Sequence, residues 1–390
     1  MRESWSIFLN REHDSRFEKK RAASFRNDRA PRRLALTALA LLTLTPRAPA
    51  EEAPRFFRIG TAAATGTYFQ LGAEIANAIS KPAGARDCER GGNCGVEGLV
   101  AVALATDGSV ANALAVGQGQ LEAAFVQADV ARWAYLGKAP AFAPGKGCKR
   151  GAAPPVPTLA ALLAKTGAIR NLRAIAALYP ETVHVVARIG SAVRTLGDLK
   201  GKKVVLGEPG SGTLAEARLV LAAIALPECS VKAGYQSLAE AAALIEQGKL
   251  DALFIIGGPP VPAIADAAAV QKLRLVAVAG KARDALLDTY PFLTAATIPG
   301  ATYPGIDAAT ATVAVPALFI VSAAVPEELV YGITKALWQD ATRRLLDRGH
   351  PAGRAIRLET ALDGVAIPLH PGAARYYAER GMALPASPPP

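Results

Sequence analysis

Three stretches of this sequence set glycines and hydroxyls just ahead of an apolar, helix-like run. They are Gly60-Thr-Ala-Ala-Ala-Thr-Gly-Thr-Tyr68, Asp107-Gly-Ser-Val110 and Gly207-Glu-Pro-Gly-Ser-Gly-Thr213. Each follows a strand-like segment. A helix start carries unpaired N–H groups and a partial positive charge, and small residues let an anion approach it. Taken singly, ordinary capping explains each loop. Together they predict a site for a small carboxylate or phosphate at the carboxyl ends of strands. The candidates are Gly60, Thr61, Thr65, Gly66, Thr67 and Tyr68 in the first loop, and Ser109 and Val110 in the second. Pro209, Gly210, Ser211, Gly212 and Thr213 are those of the third. Gln127 ends an apolar run and either hydrogen-bonds a ligand or satisfies its own loop. Tyr68 and Tyr179 either wall a ligand or belong to the core. Glu208 would repel an anion, so it is expected to point outward or to be paired.

The known reaction motifs fail. The third loop is no phosphate-binding P-loop, because Thr213 stands where lysine is needed. It is no nucleophile elbow either, because Pro209 rather than glycine lies two residues before Ser211. Gly117-Gln-Gly119 reads as a helix-end turn. His184 lies inside an apolar strand and reads as a core histidine. With no HExxH, no CxxC and widely separated His184, His350 and His370, no metal site is expected. No nucleophile–base pair is apparent, so neither a cofactor nor enzymatic activity is expected.

Strands alternating with helices must position these loops. Strands are expected at 56–59, 99–104, 121–126, 172–178, 183–187, 204–206, 231–235, 252–256 and 273–279, with a longer one over 313–322 broken by Pro316. Helices are expected at 68–79, 110–116, 214–225, 238–247 and 327–346, the last opened by Pro326. Residues 138–158 read as a long loop. This alternation, with apolar runs suited to strands covered on both faces, implies an α/β fold with parallel sheets in two lobes.

The chain has 390 residues, of which 51% are hydrophobic and 20% charged, enough for a large core. Of the net charge of +11, residues 1–50 supply +6, so the remainder is only mildly basic and nucleic-acid binding loses its support from composition. Arg29, Arg32 and Arg33 precede an apolar run over 34–44, and Ala48-Pro49-Ala50 follows as an A-x-A site. This pattern reads as a secretory signal peptide spanning residues 1–50, and its apolar run is too short to cross a bilayer. Cleavage near Ala50 would leave a soluble periplasmic protein. The four cysteines, Cys88, Cys94, Cys148 and Cys229, fit that compartment. Cys88 and Cys94 flank a turn-rich loop and are expected to pair, which leaves Cys148 with Cys229 by exclusion.

An ordered set of blocks resembles the TAXI-type solute-binding subunits of TRAP transporters. The blocks are Ile59-Gly-Thr61 with Thr65-Gly-Thr-Tyr68, Gly108-Ser-Val-Ala-Asn112, Phe125-Val-Gln-Ala-Asp129, Val204–Thr213 and Glu327-Glu-Leu-Val-Tyr331-Gly-Ile-Thr-Lys-Ala-Leu-Trp338. They extend over residues 55–345, and Cys88/Cys94 and the tail 355–371 are similar to one branch. The resemblance implies a type II periplasmic binding fold, each lobe a mostly parallel sheet flanked by helices. It places residues 53–180 and 290–390 in lobe I and 181–289 in lobe II, hinged near Tyr179–Thr182 and before Val313. It implies a small anionic solute, a dicarboxylate or an amino acid, delivered by a monomer to TRAP membrane permease subunits. Thr65, Thr67, Tyr68, Ser109, Gln127, Ser211 and Thr213 are carried over as candidate contacts. Ala62-Ala-Ala64 departs from the family's glycine-rich first loop and narrows backbone access there. A ligand-presenting module for a membrane sensor is the alternative role, followed by an extracytoplasmic enzyme.

Overall fold

The computed structural model describes residues 54–92, 94–142 and 156–386. The expected signal segment and Cys148 lie outside them. In chain order the elements are β1 (Arg55–Gly60), α1 (Thr67–Ile79), β2 (Ser80–Lys81), β3 (Val96–Glu97), β4 (Leu99–Leu104), α2 (Ser109–Gly117), β5 (Ala123–Gln127), α3 (Ala128–Leu136), α4 (Leu159–Thr166) and β6 (Leu172–Arg188). They continue with β7 (Lys203–Val205), α5 (Gly212–Ala223), β8 (Lys232–Gly234), α6 (Leu238–Glu246), β9 (Ala252–Gly257), α7 (Pro262–Val270), β10 (Leu273–Leu275), α8 (Lys281–Thr289) and β11 (Thr294–Ile298). Last come β12 (Thr310–Ser322), α9 (Glu327–Leu337), α10 (Asp340–Arg348) and α11 (Pro371–Glu379).

The strands form one mixed α/β sheet in the order β3-β2-β4-β1-β5-β12-β6-β9-β7-β8, with β11 on β12 and β10 on β6. Each half keeps parallel pairing, β1 with β4 and β5 in one, β7 with β8 and β9 in the other. The two long strands β6 and β12 run antiparallel to each other and join the halves. Residues 172–178 and 183–187 are therefore one strand, not the two expected, and Pro316 does not break β12. The reason is local. Pro180 and Pro316 face each other across the β6–β12 pairing, where the register shifts. A proline has no N–H to give the ladder, so placing two opposite each other puts both missing donors at one rung.

The return of the chain differs from the expected boundary at 290. β11 pairs with Thr310–Ala314, and Tyr303 and Ile306 pack with Ile264 and Leu253 of the second half. The chain passes back to the first half only beyond Pro316. The expected helix over 327–346 is also two helices. Trp338 turns out to donate its indole N–H to the Tyr377 hydroxyl at 3.1 Å, and Thr342 donates to the carbonyl of Ala336, so the chain restarts at Asp340. The tail is fastened by His370, whose ring caps α11 at Gly372 and reaches the carbonyl of Val325. Cys88 and Cys94 form a disulfide around the short loop between β2 and β3. Among the described residues, no helix is long and apolar enough to cross a membrane.

Candidate functional site

The three loop tips converge at the seam between the halves, around a cavity of about 60 Å³. Cavities that hold metabolites run to roughly 300–1,000 Å³, so the halves are drawn together here. Gly66, Thr67, Tyr68, Ser109, Gln127, Ser211, Gly212 and Thr213 line it. Other candidates lie elsewhere. Thr61 is buried, with its hydroxyl donated to the carbonyl of Leu104, and Gly60 abuts the Asn112 side chain. Thr65 is exposed. Tyr179 is buried behind Gly258 and does not line the cavity.

The three helix starts are not equivalent. At α2 the N–H groups of Val110 and Ala111 both donate to the carbonyl of Gly210, at 2.9 Å. A loop of one half thereby caps a helix of the other, and Val110 and Gly210 serve closure instead of presenting free groups to a ligand. At α5 the Ser211 hydroxyl accepts from the N–H of Leu214 at 3.1 Å and donates to the carbonyl of Glu208. The Thr213 hydroxyl accepts from the N–H of Ile256. Only α1 has a bare start: its N-cap is Gly66, which has no side chain to cap with, and its first turn holds no acid. That end retains the partial positive charge a carboxylate would seek.

Three acids line the cavity that the sequence did not mark as ligand contacts: Asp107, Glu181 and Glu208. Among the described residues, no lysine, arginine or histidine joins them in the lining. Glu181, only 2% exposed, accepts the Tyr68 hydroxyl at 2.6 Å. Burial holds its carboxyl well above the usual range; the Tyr68 bond pulls it back, and Asp129 pushes it further up. Contrary to expectation, Glu208 is neither outward nor paired but lines the cavity. Half-burial pushes its pKa up to about 7, with Asp107 and Glu240 adding repulsion. Gln127 sits between the halves with its side-chain carbonyl buried and unpartnered. It lies so close to Gly212 that any side chain there would collide with it. A polar residue at the end of a buried strand was the signal for Gln127. No local signal marked Glu181, because Tyr68 lies 113 residues away.

The histidines at 184 and 350 serve the fold. His184 Nδ1 donates to the carbonyl of Thr182, Nε2 accepts the Tyr303 hydroxyl at 2.9 Å, and Tyr303 in turn accepts the N–H of Val261. His350 accepts the N–H of Ala352 and reaches the carbonyl of Pro260 at 2.8 Å. Among the described residues, no three acids, histidines or cysteines are placed to hold a metal ion.

The loop tips of the two α/β halves meet around the cavity, and the sequence matches a known family. A profile of the NMT1-like family matches residues 59–149 and 160–381, and the chain belongs to that family. Among solved structures, similarity extends to the alkanesulfonate-binding protein SsuA of Xanthomonas axonopodis pv. citri, bound to MOPS. That match has 16% identity, covers 84% of each chain and gives a TM-score of 0.43. SsuA of Escherichia coli matches at 14% identity over 84% of each chain, with a TM-score of 0.40. An ancestral arginine-binding protein bound to arginine matches at 15% identity, over 75% of this chain and 97% of its own, with a TM-score of 0.38.

Proposed function

We propose that this chain is an extracytoplasmic, non-enzymatic solute-binding protein that closes two lobes over a small amino acid. The lobes meet at the Pro180–Pro316 rung. One observation carries the choice of solute: Gln127 offers a buried, unpartnered acceptor between the lobes, beside the acid Glu181. An acceptor without a partner in a closed cleft costs free energy, and a ligand donor removes that cost. An ammonium group supplies such donors, and the bare start of α1 suits the carboxylate of the same molecule. A dicarboxylate would meet Glu181, Glu208 and Asp107 with no compensating cation in the lining. An amino acid therefore fits better than a dicarboxylate.

The ordered blocks shared with TAXI-type subunits support delivery to the permease of a TRAP transporter, and the signal-like N-terminus supports export. The hydroxyls of Ser211 and Thr213 are engaged with the chain itself, which supports binding without turnover. Calorimetry tests the reading with common amino acids and with dicarboxylates. Amino acids should bind, and Glu181→Gln should weaken them. Tight dicarboxylate binding that is unaffected by Glu181→Gln would reverse the choice.

A further inference from the structure

Below the cavity, Asp129 in the first turn of α3 and Glu216 on α5 are both 0% exposed. Helix α3 packs on β5 and β12 of the first half, and α5 on β9 and α8 of the second. The two side chains thus come from elements on opposite sides of the seam. Among the described residues, no well-aligned side-chain donor reaches any of their four carboxyl oxygens, and the Val130 N–H acts on Asp129. The carboxyls lie within hydrogen-bonding reach of each other. Two carboxylates offer only acceptors, so their contact requires a proton on one of them.

We propose that Asp129 and Glu216 form a proton-dependent latch: closing the two halves takes up a proton from solvent, which the two carboxyls then share. This rests on the closure reading above and adds a second, chemical condition to it. Opening would return both groups to water, where carboxyls ionise near pH 4. The shared proton would then be released to solvent, with no other bond made or broken.

The surroundings favour this. Glu181 from β6 acts on Glu216 with a like charge, and Tyr290 at the end of α8 adds no cation. Tyr68 answers Glu181 with a hydrogen bond. Arg218, two residues further along α5, is committed to Glu228 and to the carbonyl of Val156. Burial raises both carboxyls, Asp129 to about 6 and Glu216 further. Above pH 6 the closed form thus keeps one proton that the open form lacks. That proton alone lowers the closed-to-open ratio about tenfold per pH unit, and Glu181 and Glu208, also raised by burial in the cavity, steepen the fall.

The molecule carries its own reporter. Trp133 on α3 stacks edge-on against Tyr290 and Phe292 of the second half, at 6.4 and 5.5 Å between ring centres. Trp338 bonds Tyr377 within the first half and should stay constant. The test is small-angle scattering and tryptophan emission of the full protein from pH 5.5 to 8.5, with and without a mixture of common amino acids. The wild type should open as pH rises, at least tenfold per pH unit. Asp129→Asn and Glu216→Gln keep the shape and supply a permanent donor, so each should lose a factor of about ten per pH unit from that slope. Opening and closing that ignore pH, or variants that keep the wild-type slope, would overturn the latch alone. A radius of gyration unchanged by pH and by every solute would overturn the closure reading and the latch together.

Discussion

Two buried polar clusters lie in this molecule and behave in opposite ways. The His184–Tyr303–Val261 cluster sits within the second half, and each of its members has a partner. The seam cluster of Asp129, Glu216 and Gln127 joins the halves and is full of acceptors without donors. A satisfied network fixes one arrangement, whereas an unsatisfied one leaves free energy to be gained by a proton or a ligand. The first cluster holds a half together; the second decides whether the halves stay shut.

The largest expected effect lies in the first cluster. Burial lowers the His184 pKa from 6.5 to about 4. The unfolded chain therefore binds the extra proton between those values. The stability His184 contributes is full above pH 6.5 and falls as pH drops toward 4, by roughly 3 kcal/mol. Between pH 7 and pH 4, denaturant midpoints of the wild type should show this loss beyond whatever His184→Gln shows. An equal slope in both would break the assignment. The seam responds in the opposite direction, because its raised carboxyls favour the closed form at low pH.

Gly212→Val should come next. Its side chain would collide with Gln127 and hold the halves apart. Overpacking of about 1–3 kcal/mol reads as a roughly 5- to 150-fold loss of amino acid affinity, with little change in melting temperature. Calorimetry and a thermal melt separate the two effects. Tyr303→Phe should do the reverse, leaving His184 Nε2 and the Val261 N–H unpartnered. It should cost about 1–2 kcal/mol of stability and leave affinity unchanged. The smallest effect is expected of Thr67→Ala, which removes the hydroxyl bond to the carbonyl of Gly258 across the seam. It should weaken solute binding by up to about fivefold, for a net bond of near 1 kcal/mol. A stability loss in Thr67→Ala exceeding that in Tyr303→Phe would erase the distinction between the clusters.

Much of the fold could be read directly. The strand at β1, the helix at α1 and the alternation through β9 follow from local periodicity, and the three glycine–hydroxyl loops follow from their position between strand and helix. The union of 172–178 and 183–187 into one strand was hidden, because each proline alone argues for a break. Only their pairing across 136 residues removes the penalty. The capping of α2 by Gly210 was hidden for the same reason: a carbonyl carries no sign in the sequence of which amide it will meet.

The sequence by itself determined the elements and the small, polar loop tips, since those depend on neighbours a few positions away. The tertiary structure decided that Gly210 would take the amides of α2. It also decided that Glu181 would receive Tyr68, and that Asp129 and Glu216 would share a dry space. Those outcomes depend on which distant groups are excluded from water together, and burial of that kind exists only once the halves are assembled.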